Sequence, residues 1–342
     1  MTDTPEILLT VLMPVHNGEK YLKETINSIL NQTLTKFEFL IINDGSIDRS
    51  EEIINSFTDP RITYIKNEQN KGIVATLNIG LELSRGKYIA RIDADDIALP
   101  TRLEKQMDYM QSNPSCKMCG SQAIAINENG EKMYKLRRPF FSEEIKVNHL
   151  FRNSFIHPSV MFDSKIAKEF KYDIEYQYAE DYYLFSQIAL NYEVANLNEN
   201  LLLYRIHAEN ITSKKRVEMN QSEMKTINYL LSNLFGEKVP EANILIHHSF
   251  LTRNFDNIDM HKIEMHLLKI KNSNQKKQSY NNTLLEIMLQ KEWFNFLFFS
   301  KEKNQLSKFI KSELFSIKHF NFRQFIKLAT KKQSRSNTET IL

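Results

Sequence analysis

The sequence predicts an α/β fold in which a mostly parallel central sheet is followed by a helical carboxyl-terminal extension. Over residues 8–92, short apolar segments that favour strands alternate with segments whose apolar residues recur at helical spacing. Such alternation is typical of βαβ units and a parallel sheet. The strand segments are also nearly continuous in apolar character, which indicates a sheet covered on both faces.

Each element is assigned from its own residues. Leu8–Met13 is a β-rich apolar run that ends at Pro14, and Glu19–Leu30 has apolar residues at helical spacing. The same criteria predict the next five elements: a strand at Phe37–Ile42, a helix at Asp48–Phe57, a strand at Arg61–Lys66, a helix at Gly72–Leu83 and a strand at Lys87–Ile92. Residues from about 115 to 210 are more mixed, and we expect α+β structure there.

Length and charge divide the chain into two predicted domains. A chain of 342 residues suggests two domains, or one domain with a large extension. Residues 213–342 carry 22 Lys and Arg against 12 Asp and Glu, whereas residues 1–212 carry 23 against 30. We therefore predict a boundary between residues 212 and 213, where the basic and mainly helical part begins.

The cysteine content and the length of the apolar runs argue against a zinc protein and against a membrane-spanning protein. Cys116 and Cys119 are the only cysteines, and no second pair completes a zinc site, so we interpret them as reduced thiols on or near a strand. The first residues do not resemble a signal peptide, and no apolar run approaches the roughly 20 residues that span a bilayer. We expect a cytoplasmic protein that is soluble or bound peripherally to the inner face of the cytoplasmic membrane.

The most informative segment is the acidic turn Asp93-Ala94-Asp95-Asp96, which directly follows the predicted strand Lys87–Ile92. Three carboxylates at the end of a strand repel one another, and a divalent cation with oxygen ligands would remove the conflict. The alternative is a helix-capping turn before Leu99-Pro100. Polar loops at residues 14–18 and 43–46 also follow strands, and parallel sheets bind ligands beyond the carboxyl ends of their strands.

Six segments that occur in order over about residues 7–212 resemble glycosyltransferase family 2, whose members have the GT-A fold. They are Thr10-Val-Leu-Met-Pro-Val-His-Asn-Gly18, Asn43-Asp-Gly-Ser-Ile-Asp48, Asn70-Lys-Gly72, Gly86-Lys-Tyr-Ile-Ala-Arg-Ile-Asp-Ala-Asp-Asp96, Ala179-Glu-Asp181 and Tyr204-Arg-Ile-His207. Two positions depart from the family pattern, which usually has Tyr at His16 and often Asp at Asn43. The resemblance implies that residues 1–212 form a Rossmann-like nucleotide-sugar-binding domain.

The resemblance also implies which residues contact the donor. They are Pro14, Val15, His16, Asn17, Asp44, Lys71, Asp93, Ala94, Asp95, Asp96 and Arg205. Asp44 would accept the N3–H of a uracil ring, and Asp93 would contact the ribose. Other interpretations stay open, because Asp44 is also a turn-forming residue and Lys71 also fits a solvated surface lysine. Arg205 would pair either with a phosphate or with a core carboxylate.

A divalent cation, Mn²⁺ or Mg²⁺, is the cofactor that the resemblance implies. Its ligands would be Asp93, Asp95 and His207, a mixed set that suits Mn²⁺. The leaving group of a nucleotide sugar is a diphosphate, and a cation stabilises the negative charge that builds on it. A lone histidine is otherwise more often structural.

The pair Glu180-Asp181 begins a predicted helix and supplies the candidate catalytic residues. In the family pattern Asp181 is the general base that takes the proton from an acceptor hydroxyl, and Glu180 supports it. The structural alternative is a favourable interaction of both carboxylates with the helix dipole. The segment His157-Pro158-Ser159 either lines the acceptor pocket or forms a structural turn.

The predicted function is an inverting, metal-dependent glycosyltransferase that uses a nucleotide sugar, with a UDP-sugar favoured. Its acceptor would be a saccharide or lipid-linked saccharide in bacterial surface polysaccharide synthesis: capsule, O-antigen or lipooligosaccharide. A nucleotidyltransferase is an alternative, although Pro14–Gly18 lacks a Gly-rich phosphate loop. A non-catalytic nucleotide-sugar-binding protein is another, although it would not need Asp181.

The basic carboxyl-terminal region offers one further prediction. Residues 291–328 interleave aromatic residues with lysines. Such helices either lie on an anionic inner-membrane surface or pack against other parts of the protein. Charge alone also permits nucleic-acid binding, but none of the recognisable motifs supports it, and we expect no nucleic-acid partner.

Overall fold

A computed structural model describes residues 7–208, 215–300, 302–319, 322 and 326–328. The chain divides into two compact units, which meet in sequence between Thr226 and Ile227. The predicted boundary between residues 212 and 213 lies outside the described residues and stays a prediction.

Strands of the first unit form one mixed sheet. In chain order they are β1 (Leu9–Val15), β2 (Glu38–Asn43), β3 (Ile62–Lys66), β4 (Tyr88–Arg91), β5 (Ile97–Ala98), β6 (Cys116–Ile126), β7 (Lys132–Leu136), β8 (Met161–Asp163) and β9 (Glu193–Arg205). Their order across the sheet is β3-β2-β1-β4-β8-β6-β9-β5, and β7 pairs with β6. The first four strands are parallel, β8 is antiparallel to β4 and β6, and β6 and β9 are parallel.

Helices cover both faces of this sheet. They are α1 (Leu22–Leu30), α2 (Ser50–Asn55), α3 (Ile73–Leu83), α4 (Arg102–Ser112), α5 (Ser142–His149), α6 (Ser164–Phe170) and α7 (Glu180–Asn191). Side chains alternate along β1, so that Val11 and Met13 lie in a core shared with α1, whereas Leu12 lies in a core shared with α3. Two buried faces explain why the strands are nearly continuous in apolar residues.

Helices also make up the carboxyl-terminal region. They are α8 (Arg216–Phe235), α9 (Glu241–Thr252), α10 (Met260–Lys277), α11 (Asn282–Phe299) and α12 (Gln305–Lys311). The core of the second unit contains a chain of aromatic rings, in which Phe250 contacts Phe255, Phe255 contacts Phe296, and Phe296 stacks on Trp293. No helix in the described part of the chain is long and apolar enough to cross a membrane.

The aromatic residues between positions 291 and 328 lie in different environments. Trp293, Phe294, Phe296 and Phe309 are buried, Phe298 and Phe315 are half-buried, Phe299 and Phe322 are exposed, and Phe320 and Phe325 lie outside the described residues. Of the two alternatives for this segment, the buried members fit packing within the protein.

The thiol prediction is confirmed. Cys116 and Cys119 are free, buried residues of β6. Burial raises the pKa of Cys116 to about 11 and that of Cys119 well above its ordinary value, so neither thiol ionises near neutral pH.

Candidate active site

The loops that follow β1 and β2 are joined at the carboxyl-terminal edge of the sheet. Pro14 and Val15 are the last residues of β1, and both are buried. The main-chain N–H of Asp44 donates to the Val15 carbonyl at 2.7 Å, and the Asp44 carbonyl lies 2.9 Å from His16 Nδ1. Asn17 has a left-handed φ of 52° and donates its main-chain N–H to Ser46 Oγ.

Asp44 organises the loop that precedes α3. Its Oδ1 accepts from Asn67 Nδ2 at 2.8 Å and from the Lys71 N–H at 2.9 Å, while Oδ2 accepts from the Gly72 N–H at 2.9 Å. The side chain of Asp44 is buried, whereas Lys71 is exposed. The structure therefore shows a structural role for Asp44, and its predicted contact with a nucleobase stays a prediction.

The acidic turn brings three carboxylates together. Oxygens of Asp93, Asp95 and Asp96 lie within 4.8 Å of one another. Asp96 is buried, and its Oδ2 has no hydrogen-bond partner among the described residues. Burial, followed by the charges of Asp95 and Asp93, raises the pKa of Asp96 well above its ordinary value. Clustered carboxylates with an unsatisfied buried oxygen fit a divalent cation, which prefers such ligands.

Arg91 holds the first carboxylate of the turn. The guanidinium group is buried and pairs with both oxygens of Asp93. Burial raises the pKa of Asp93, and the charge of Arg91 opposes that rise. A cation bound here would therefore share Asp93 with Arg91.

His207 reaches the acidic turn from beyond the end of β9. Its Nε2 lies 2.8 Å from Asp95 Oδ2, and its ring packs on Tyr21 with a centroid distance of 5.3 Å. The fold thus brings together two of the three predicted metal ligands, although they are far apart in sequence. An imidazole and two carboxylates form a set that Mn²⁺ accepts.

Arg205 is hydrogen-bonded to the main chain of the acidic turn. Its Nε donates to the Asp95 carbonyl at 2.8 Å, and its Nη2 donates to Glu24 Oε2 at 2.6 Å. Nη1 lies 3.3 Å from the carbonyl oxygens of Asn127 and Glu128. Of the two alternatives for Arg205, the geometry fits pairing with a carboxylate; contact with a donor phosphate stays a prediction.

Glu180 and Asp181 are the first two residues of α7. Asp181 Oδ2 accepts from Asn153 Nδ2 at 2.8 Å, and Oδ1 accepts from the Tyr182 N–H at 2.7 Å. Glu180 is buried, and its Oε2 has no hydrogen-bond partner among the described residues. Burial raises the pKa of Glu180 to about 7, with Asp181 adding to the rise, and raises that of Asp181 to about 6. Carboxylates with such pKa values are suited to accept protons near neutral pH.

His157 lies beside this pair. Its Nδ1 is 4.0 Å from Asp181 Oδ2, and its Nε2 is 2.8 Å from the Tyr172 hydroxyl. Burial lowers the pKa of His157 well below its ordinary value, so the ring is neutral at physiological pH. The segment His157–Ser159 forms one turn of 3₁₀ helix, which is compatible with both interpretations of the sequence.

Three residues near these groups were not predicted to have a role. Arg91 pairs with Asp93, Asn153 donates to Asp181, and the hydroxyl of Tyr172 contacts the ring of His157. Arg91 carries a signal in the sequence, because a guanidinium at the end of an apolar strand needs a buried partner. Asn153 carries no local signal.

Comparisons with known proteins agree with these features. Residues 10–170 match the family model described as "Glycosyl transferase family 2". An uncharacterized glycosyltransferase of Methanocaldococcus jannaschii is 44% identical over 206 residues, which cover 58% of this chain and 71% of that protein. The O-antigen biosynthesis glycosyltransferase WbnJ of Escherichia coli is 37% identical over 209 residues, which cover 58% of this chain and 80% of WbnJ.

A third relative, WfgD of Escherichia coli, is named as a UDP-Glc:alpha-D-GlcNAc-diphosphoundecaprenol beta-1,3-glucosyltransferase. It is 30% identical over 219 residues, which cover 63% of this chain and 84% of WfgD.

Two solved structures share the fold. Residues 1–349 of S. aureus TarS in complex with UDP-GlcNAc match with a TM-score of 0.57 at 16% identity, covering 84% of this chain and 87% of that one. The mannosyltransferase PcManGT from Pyrobaculum calidifontis, in complex with GDP-Man and Mn²⁺, matches with a TM-score of 0.52 at 14% identity, covering 95% and 87%. These likenesses confirm the predicted fold class, with a sheet that is mixed beyond its first four strands.

Proposed function

Because this chain belongs to glycosyltransferase family 2, we propose that it is an inverting, metal-dependent glycosyltransferase that moves a sugar from a nucleotide-sugar donor to a saccharide or lipid-linked saccharide acceptor. The observation that carries the proposal is that Arg91 interacts both with Asp93 of the acidic turn and with the pair Glu180 and Asp181. The guanidinium pairs with Asp93, and its charge also acts on Glu180 and Asp181. This arrangement supports a cation-binding group and a proton acceptor in one site.

A UDP-sugar is the proposed donor. The TarS structure holds UDP-GlcNAc, and WfgD is named for a UDP-Glc donor. The loops that carry His16, Asn17, Asp44 and Lys71 are hydrogen-bonded to one another beyond the ends of β1 and β2, and they would hold the nucleoside.

Mn²⁺ or Mg²⁺ is the proposed cofactor, with Asp93, Asp95 and His207 as its ligands. When bound, the cation would act as a Lewis acid that stabilises the charge on the departing diphosphate. The protein prepares this site in two ways: Arg91 orients the Asp93 carboxylate, and Arg205 fixes the main chain at Asp95. The PcManGT structure contains Mn²⁺, which supports the choice of metal.

Asp181 is the proposed general base, and Glu180 supports it. Asn153 holds one oxygen of Asp181, and the main chain of α7 holds the other, so the carboxylate has a fixed orientation. Its pKa of about 6 allows it to take a proton from an acceptor hydroxyl as the new C–O bond forms. Direct displacement by that hydroxyl inverts the configuration of the anomeric carbon.

Bacterial surface polysaccharide synthesis is the proposed setting, whether of capsule, O-antigen or lipooligosaccharide. WbnJ is named for O-antigen synthesis, and WfgD is named for a lipid-linked acceptor. We extend the proposal to a cytoplasmic enzyme that binds an anionic inner membrane peripherally, through the basic charge of residues 213–342.

A donor screen tests the proposed function. UDP-, GDP- and dTDP-sugars are incubated with the full-length protein in Mn²⁺, in Mg²⁺ and in chelator, and release of the nucleoside diphosphate is measured. We expect metal-dependent release from one donor class, and its loss in Asp95→Asn, since the cation loses an oxygen ligand. Asp108→Asn, on the exposed side of α4, is the matched control.

Three outcomes contradict the proposal. Full Mn²⁺-dependent activity in Asp95→Asn would show that the cation lies elsewhere. Release of pyrophosphate rather than nucleoside diphosphate would indicate a nucleotidyltransferase. Nucleotide-sugar binding without turnover for any acceptor would indicate a non-catalytic protein.

A further inference from the structure

We propose that Arg138 forms a phosphate subsite on the acceptor side of the active site, where it binds the diphosphate that links the acceptor sugar to its carrier. This inference rests on the proposed function and specifies the acceptor. It assigns a ligand to a half-buried guanidinium group that neither the acidic turn nor the base uses.

The guanidinium group of Arg138 is half-buried. Its Nη1 donates to the Arg137 carbonyl at 3.2 Å, and its Nε is buried without a hydrogen-bond partner. No carboxylate of the described residues forms an ion pair with it. Burial lowers the pKa of Arg138 below its ordinary value. A guanidinium N–H that is shielded from water normally has an acceptor, so the unpaired Nε of Arg138 points to an anionic ligand.

The backbone of Arg138 is fixed, so its side chain has a defined origin. Its main-chain N–H donates to Gln122 Oε1 at 2.6 Å, and its carbonyl accepts from Gln122 Nε2 at 3.1 Å. Gln122 lies in the buried strand β6. A ligand-binding group gains affinity when it is held in place before the ligand arrives.

The same network ties this segment to the proposed base. Asn196 Nδ2 donates at 2.8 Å to the carbonyl of the proline that follows Arg138, and at 2.9 Å to the carbonyl of Ser154. The neighbouring Asn153 holds Asp181. Arg138 and Asp181 are therefore positioned by one set of hydrogen bonds.

The hydrogen bonds made by Asn196 and Asn153 support a position for Arg138 on the acceptor side. The charge of Asp181 also raises the pKa of Arg138, which agrees with that position. Asp181 must face the acceptor hydroxyl if it is the base. The donor diphosphate is assigned to Asp95 and His207, which leaves the acceptor as the source of an anion beside Asp181.

The surface that leads to Arg138 fits an anion that is attached to an apolar carrier. Residues 132–138 contain Lys132, Lys135, Arg137 and Arg138 and no acidic residue. The strand β7 is exposed along most of its length, and Phe141 is exposed beyond it. Positive charge attracts a diphosphate over a distance, and the guanidinium group then binds it through two N–H groups.

The test compares acceptors that share one sugar. The probes are an alkyl glycosyl diphosphate, the matching neutral alkyl glycoside and an alkyl uronoside that carries a carboxylate. We expect the full-length enzyme to prefer the diphosphate acceptor by about tenfold to a hundredfold in kcat/KM, the range for hydrogen bonds to a charged group. Arg138→Gln should remove this preference by raising the KM of the diphosphate acceptor, without changing the KM of the donor.

Two further variants test whether the effect is specific to the guanidinium group of Arg138. Arg137→Gln, at the exposed neighbouring position, removes one charge of the surrounding surface but leaves the guanidinium group of Arg138, so it should keep most of the preference. Arg138→Lys keeps the positive charge but cannot form bidentate hydrogen bonds, so it should retain part of the preference. If Arg138→Gln fails to fold, as shown by its thermal unfolding, Arg138→Lys alone decides, and an unchanged preference in that variant overturns the subsite.

Other results also overturn the inference. Equal preference in Arg138→Gln and the wild type would show that Arg138 does not bind the acceptor. If the enzyme prefers the alkyl uronoside to the alkyl glycosyl diphosphate, the ligand of Arg138 is a sugar acid. If Arg138→Gln raises the KM of the donor, Arg138 binds the donor. If no donor is consumed, the proposed function fails separately, and calorimetric binding of the alkyl glycosyl diphosphate to the wild type and Arg138→Gln still tests the subsite.

Discussion

Asp181 and Glu180 are adjacent residues with different surroundings. Substituting each in turn distinguishes the proposed general base from the residue that supports it. Asp181→Asn keeps the shape of the side chain but removes the proton acceptor. We expect turnover to fall by at least about 10²-fold, the usual scale for a general base. Donor affinity, measured by calorimetry, should change little, because the acidic turn is intact.

Glu180→Gln is the matched comparison for that prediction. Glu180 accepts no hydrogen bond at Oε2 among the described residues, so we expect a smaller loss of turnover. An active Asp181→Asn together with an inactive Glu180→Gln would exchange the two roles.

Glu180 also carries a stability prediction. Its folded pKa of about 7 lies above the ordinary value of 4.5, mainly because it is buried. A raised folded pKa contributes stability that is present below pH 4.5 and is lost as the pH rises through about 7. Glu180→Gln removes this penalty, so its free energy of unfolding should exceed that of the wild type at pH 8 and approach it at pH 4.5. Urea unfolding at the two pH values measures the difference, and a variant less stable at pH 8 would contradict it.

Single residues show where sequence reasoning succeeds. The contact between His207 and Asp95 joins two motifs that the sequence had marked as metal ligands. Arg91 lies two residues from its partner Asp93, but the importance of this pair becomes evident only when the burial of Arg91 is known. The main chain of Arg138 is held by Gln122, which is distant in sequence, and local patterns do not encode such a contact.

Secondary-structure elements were predictable where the chain alternates locally. The first four strands and the three helices between them lie within a few residues of their predicted positions, because each carries its own apolar pattern. The sequence also predicts a strand at Val160–Phe162, close to β8, but neither the antiparallel pairing of β8 nor the pairing of β6 with β9 was predicted. Those pairings join segments separated by other elements, as when Cys116 pairs with Glu193, and no local pattern specifies them.

Gly86 shows how closely β1 and β4 approach each other. A Cβ atom at this position would lie 2.4 Å from the main-chain nitrogen of Thr10 and 2.6 Å from the Leu9 carbonyl carbon. Backbone atoms of a buried strand cannot move aside, so Gly86→Ala should lower the free energy of unfolding by about 3 kcal/mol, the upper part of the range for overpacking. Chemical denaturation measures this value.

The control for Gly86 is Gly18→Ala. A Cβ at Gly18 meets only ordinary contacts of 3.5 Å, so the free energy of unfolding should change little. Equal stability of the two variants would mean that β1 and β4 separate more easily than their pairing indicates.

At the scale of the whole molecule, charge is unevenly distributed between the two parts of the sequence. Residues 213–342 have an excess of Lys and Arg, while most aromatic residues of segment 291–328 that can be placed are at least half-buried. We therefore expect the protein to bind vesicles that contain anionic lipid and to dissociate as salt rises, since each basic residue contributes about 1 kcal/mol that salt screens. Vesicle sedimentation measures binding, and equal binding to neutral vesicles would exclude the electrostatic explanation.

The second unit contains a buried histidine pair that should make it sensitive to acid. His247 Nδ1 lies 3.0 Å from His266 Nε2, and Asn243 Nδ2 lies 3.1 Å from His266 Nδ1. Burial, followed by the charges of His247 and Lys269, lowers the pKa of His266 well below 6.5. The folded unit therefore holds a neutral ring, whereas the unfolded chain takes up a proton below about pH 6.5.

Acid should consequently unfold the second unit at lower denaturant concentration. Below pH 6.5 the unfolded state binds more protons at His266, so the free energy of unfolding falls by up to about 1.4 kcal/mol for each pH unit. Trp293, the only tryptophan, is buried in this unit, so its fluorescence reports the unit directly. We expect the urea midpoint from Trp293 to drop between pH 7.5 and 5, less so in His266→Gln, while the exposed His261→Gln keeps the wild-type dependence. A midpoint that does not move with pH would show that the pair is already protonated, or is compensated, in the folded unit.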